Sequence, residues 1–157
     1  MGTAHRLDTP AGPVGVTLPG DAELQAVGAV AYWSPDPEEG RFTVAPTPGA
    51  GADALLAAER ERGTVDVEAD ERGERGGVAV RRLRYRIRLR GEREVVLDGG
   101  VERHGGGIEE EHRADVLVIG DGADTVRAGY SVRADAPPDL ATAFAAALDS
   151  LRIGSET

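Results

Sequence analysis

The chain has 157 residues, of which 40% are hydrophobic and 29% charged, enough to close one globular core and too apolar for a disordered tail. A net charge of -10 argues against a protein whose main task is to neutralise nucleic-acid phosphates or to coat an anionic membrane. With no cysteine there is neither a disulfide frame nor a thiolate zinc site, and no apolar run approaches the roughly 20 residues that span a bilayer, so the expectation is a cytoplasmic protein with no nucleic-acid partner and no membrane insertion.

Residues 1–12 are polar and rich in small side chains, which predicts a flexible N-terminal tail ahead of a single domain over 13–154. Val14, Val16 and Leu18 alternate up to Pro19-Gly20, the pattern of a strand ending in a turn. Leu24 to Trp33 reads as a second extended stretch, closed where Pro35 and Pro37 forbid a central ladder, and Phe42 to Ala45 reads as a third. Asp53 to Arg62 carries Leu55, Leu56 and Ala58 among charges and stops at Gly63, which predicts a short helix with a left-handed cap.

Val65, Val67 and Ala69 then alternate with Asp66, Glu68 and Asp70, and after a glycine-rich turn from Arg72 to Gly77 comes the most pronounced pattern in the chain. Arg82, Arg84, Arg86, Arg88 and Arg90 alternate with Leu83, Tyr85, Ile87 and Leu89, so one strand has an apolar face and a cationic face. Paired as a hairpin, the two strands set Asp66, Glu68 and Asp70 against Arg86, Arg84 and Arg82. Further on, Glu94 to Leu97 reads as a strand and Gly99 to Gly107 as a glycine-rich loop, while Arg113 to Ile119 and Thr125 to Val132 read as a hairpin closed by Gly120-Asp121-Gly122-Ala123. Leu140, Phe144, Ala147, Leu148 and Leu151 recur at helical spacing behind Pro137-Pro138, with Gly154 past the end, predicting a terminal helix. The amphipathic strands are expected to bury their apolar sides beneath that helix.

Candidate chemistry is sparse. The arginine face, Arg84, Arg86 and Arg88 above all, offers guanidinium groups about 7 Å apart that suit anions; a cross-strand ladder with the neighbouring acids, at about 0.2–1 kcal/mol per exposed pair, is the simpler reading. His104 and His112, with Glu109, Glu110 and Glu111 between them, are the only metal constellation the sequence offers, and a metal-dependent enzyme would centre on His104, Glu110 and His112. A third well-placed ligand beside the two histidines is not evident, and Gly105 to Gly107 give the approach no rigidity, so solvated charges are the simpler reading. Tyr32 and Trp33 beside the proline turn suit either a small-ligand pocket or a cap on the core. There is no strand-to-helix nucleophile elbow and no phosphate-cradling glycine loop, so no cofactor is expected and a catalytic role is the less favoured reading.

Two ends of the chain and its middle resemble a known group. Val126 to Val132, followed by Ala136-Pro137-Pro138-Asp139-Leu140 and by Ala147-Leu148-Asp149-Ser150-Leu151-Arg152-Ile153, is similar to the close of Mog1/PsbP/DcrB-like domains. Val14-Gly15-Val16-Thr17-Leu18-Pro19-Gly20-Asp21 resembles their opening strand and turn, although Ala22 stands where the family often has tryptophan, and Gly77-Val78-Ala79-Val80-Arg81-Arg82 resembles their central strand. The resemblance implies an α+β fold, a twisted antiparallel sheet with helices packed on it as an α/β sandwich. It also implies a noncatalytic role as an adaptor, accessory subunit or chaperone, with a protein partner or a homodimer held on a sheet face or an adjacent groove.

Overall fold

The computed structural model of the chain describes residues 2–47, 51–90, 93–97, 99–104, 109–120 and 124–153, and for residues 90, 93–97, 101–104 and 109 it describes the backbone alone. Gly105 to Gly107, Asp121 to Ala123 and Gly154, which carry parts of the expected loop, turn and helix end, lie outside the described residues.

The fold is α+β: antiparallel sheet with two helices among the described residues. In chain order the elements are β1 (Gly2–Thr9), β2 (Gly12–Pro19), β3 (Gln25–Val27), β4 (Val30–Trp33), β5 (Gly40–Pro46), α1 (Ala52–Arg62), β6 (Gly63–Arg75), β7 (Val78–Arg90), β8 (Arg93–Leu97), β9 (Gly100–His104), β10 (Glu109–Ile119), β11 (Val126–Arg133), α2 (Pro138–Asp149) and β12 (Arg152–Ile153). A seven-stranded sheet runs β3-β4-β5-β11-β10-β7-β6, a three-stranded sheet runs β1-β2-β12, and β8 pairs with β9.

Two apolar clusters cover opposite faces of the large sheet. On one face α2 lays Leu140, Phe144 and Leu148 over β4, β5, β10 and β11, and the small sheet adds Val14, Val16 and Leu18. On the other, α1 presses Leu55 and Leu56 onto Leu83, Tyr85, Val116 and Val118. Ala114 to Ile119 is buried throughout because β10 is sandwiched, Val116 and Val118 facing α1 while Leu117 and Ile119 face α2.

Several expectations are corrected by this arrangement. The apolar face of the arginine strand lies under α1, in a different cluster from Phe144, and not beneath the terminal helix; alternation marks a face as buried without saying which element buries it. Residues 2–9 form a strand, not a loose tail, because β1 pairs along its length with β2, and Thr3 Oγ1 donates to the Gly20 carbonyl at 2.6 Å. Leu24 to Trp33 is a hairpin folded at Gly28, whose φ of 60° admits glycine readily. Part of the expected loop from Gly99 is β9, paired with β8.

Gly63 is no left-handed cap: its φ is -179° and β6 begins there directly. A Cβ at Gly63 would run into the Arg88 carbonyl oxygen, so glycine is needed for the close approach of β6 to β7. The β6–β7 turn is tighter than expected, confined to Gly76 and Gly77 at φ 56° and 79°. Asp66 stands opposite Arg86 as the hairpin register requires, but a bulge between Val67 and Ala69 shifts the pairing by one, so that Asp70 faces Leu83.

Candidate functional site

The cationic face of β7 is tied down by carboxylates from two neighbouring strands. Arg86 Nε donates to Glu68 at 2.7 Å and Arg88 approaches Asp66 at 3.9 Å, so acids do meet arginines across the hairpin. Each acid, however, reaches the arginine two positions beyond the one expected for it, Glu68 taking Arg86 and not Arg84, and Asp66 taking Arg88 and not Arg86. The bulge removes Asp70 from that ladder and turns it to Arg81, which grips both of its oxygens at 2.8 and 2.6 Å and reaches Asp53 of α1 at 3.1 Å. The Arg81 guanidinium holds the Asp70 carboxyl below its usual range, and Asp70 together with Asp53 raises the arginine in turn.

In place of Asp70 and Glu68, Arg82 and Arg84 find Asp115 of β10. Arg82 donates to both Asp115 oxygens at 3.0 and 2.9 Å, and Arg84 Nε donates at 3.2 Å. Asp115 is 6% exposed. A buried carboxylate is tolerated only when such donors surround it. Its one signal in the sequence is an acid standing alone within the apolar run Ala114 to Ile119. Around this centre lies a cavity of about 380 Å³ between α2 and strands β7, β10 and β11, whose walls include Arg82, Arg84, Arg113, Asp115, Tyr130 and Asp149.

A second concavity, of about 220 Å³, opens beside the β3–β4 hairpin, with Leu7, Pro10, Ala26, Val30, Val44 and Val126 on its mostly apolar walls and Asp8 and Thr9 of β1 among them. β3 is the outermost strand of the large sheet and all three of its residues are exposed. Val27 is 67% exposed beside it, and from Leu24 to Trp33 there is no charged residue.

Tyr32 and Trp33, read as lining a small-ligand pocket or as a cap on the core, take opposite faces of β4 because neighbours on a strand alternate. Trp33 is buried edge-to-face against Phe144 at 5.4 Å, whereas Tyr32 stacks under the Arg41 guanidinium at 4.8 Å. Glu110 and His112 do share one face of β10, with His112 Nε2 3.4 Å from Glu110 Oε2, and Glu110 is also 3.8 Å from Arg133. His104 lies on β9, its side chain outside the described residues. Among the described residues no three His, Asp or Glu side chains converge to hold a metal, and no helix is long and apolar enough to cross a membrane.

No family model and no curated protein matches the chain. A crystal structure of a protein from Bacteroides thetaiotaomicron aligns with 96% of this chain at 13% identity and a TM-score of 0.40. The chain spans 48% of that protein's length.

Proposed function

We propose that the chain is a cytoplasmic, noncatalytic protein-binding module of the adaptor or chaperone-like kind, akin to Mog1/PsbP/DcrB-like domains, and that it docks through the β3 edge onto a second copy of itself. The observation that carries this reading is the uncharged, exposed edge: Gln25, Ala26 and Val27 leave one side of their backbone unpaired within the sheet, next to an apolar groove. Soluble proteins guard such edges with charges, prolines, bulges or very short strands, and β3 has only the last of these. In a chain with 29% charged residues, a neutral edge of this kind is a surface for strand addition.

The edge itself carries no charge that would oppose a second copy. Two-fold pairing places the same residues opposite one another, which a neutral edge accepts and an acidic edge resists. Val27 and the groove wall then gain an apolar cover, each buried CH2 contributing about 0.8 kcal/mol. Amide hydrogen exchange across a concentration series tests the idea: protection of Gln25, Ala26 and Val27 should rise with protein concentration while β6 amides stay unchanged. Exchange at β3 that is fast and independent of concentration would overturn self-pairing.

A further inference from the structure

We propose that the cavity beside α2 binds a small oxyanion, a phosphate or a carboxylate, on the guanidinium groups of Arg84 and Arg113. The argument is independent of the β3 edge, with which the cavity shares no residue. It begins with Asp115. A carboxylate in the middle of an otherwise apolar run is costly to bury unless it is fully paired, and a hydrophobic residue of similar size would serve the core as well or better. What Asp115 does at that place is hold two arginines in fixed positions, Arg82 through two bonds and Arg84 through Nε alone.

That single bond leaves donors over. Among the described residues the terminal nitrogens of Arg84 have no hydrogen-bond partner, although Arg84 is fixed at its Nε. Arg113, exposed on the same face of β10, has no ion pair among the described residues. The Tyr130 hydroxyl lies on the same wall; burial, and after it the Asp115 charge, raises the phenol above its ordinary pKa, so that it stays protonated as a donor at neutral pH. A guanidinium held at its Nε, with further donors on the same wall of a small concavity, suits a planar carboxylate or a phosphate. Ala114 and Ala145 leave the space open.

The acids on the wall set the size limit. Glu68 is taken by Arg86 at 2.7 Å, while Asp149 sits 4.0 Å from Arg82 and is 70% exposed at the rim. Together with the chain's net charge of -10 they repel an extended polyanion and leave room for one small group.

The test is an NMR titration of the full chain at pH 7, with inorganic phosphate in one arm and N-acetylaspartate in the other, following the arginine Nε–H signals. Saturable shifts at Arg84 and Arg113 in at least one arm are expected. Arg84→Gln and Arg113→Gln should each weaken binding about 10-fold or more, and Arg88→Gln, outside the cavity, should leave it unchanged. All three positions are at the surface, and Asp115 keeps both of its bonds to Arg82 in Arg84→Gln, so each variant is expected to fold, which an unchanged far-UV circular dichroism spectrum checks. Saturation by phosphate alone identifies a phosphate site, and saturation by the carboxylate alone identifies a site for an acidic side chain. The absence of saturable shifts in both arms, or shifts that survive Arg84→Gln, would overturn the proposal.

Discussion

The two edges of the large sheet are built in opposite ways. At one, β6 runs for 13 residues, carries Asp66, Glu68, Asp70, Glu71 and Glu74, and is kinked by a bulge. Side chains there lean inward to the arginines of β7. At the other, β3 is three residues long, uncharged and unbulged, with exposed valine beside an apolar groove. Acid against acid and a kinked backbone defend the long edge from pairing with another chain, whereas the short one has neither and is limited only by its length of three residues. The contrast teaches that charge in this molecule is spent on closing one side of the sheet, which leaves the other as the side for contact.

Removing what seats each edge sharpens the contrast. Phe144→Ala should have the largest effect, about 3–5 kcal/mol by chemical denaturation, because Phe144 is fully buried and supports Trp33 on the strand next to β3. Gly63→Ala should cost about 1–3 kcal/mol, since the new methyl meets the Arg88 carbonyl and must push β6 away from β7. An unchanged midpoint for Gly63→Ala would break the account of how the long edge is held.

The smallest effect is the most specific. The folded-state pKa of Asp70 lies below its ordinary 3.8, so its pairing with Arg81 contributes fully above that value and is lost as pH falls through the lowered one. Asp70→Asn should therefore remove under about 1 kcal/mol at pH 7 and nothing at the acid end of the curve. A difference that persists undiminished into acid would contradict the ion pair. The β3 hairpin carries no titrating group from Leu24 to Val30, so its contribution should be flat over the same range.

Much of this architecture can be read from local pattern. The terminal helix follows from Leu140, Phe144, Ala147 and Leu148 at helical spacing, and the β6–β7 hairpin from two alternating runs joined by glycines. Non-local facts could not be read in the same way. The polar β1 is a strand only because β2 offers it a partner, and the bulge that sends Asp70 to Arg81 moves a charge across the sheet without any mark in the alternation. Alternation marked Leu83 and Tyr85 as buried, yet α1 covers them and α2 covers the opposite face. Of the candidate site residues, Arg84, Arg86 and Arg88 are placed on one face as their spacing requires. Asp115, which organises Arg82 and Arg84, was hidden in an apolar run because its partners come from a strand about 30 residues earlier.

Sedimentation equilibrium of three proteins tests the difference between the edges most directly: the wild type, Val27→Lys on the short edge and Val67→Lys on the long one. The account predicts a concentration-dependent dimer for the wild type and for Val67→Lys, and a monomer for Val27→Lys with a denaturation midpoint within about 0.5 kcal/mol of the parent. A wild type that stays monomeric at every concentration, or a dimer that Val67→Lys dissociates and Val27→Lys does not, would contradict it.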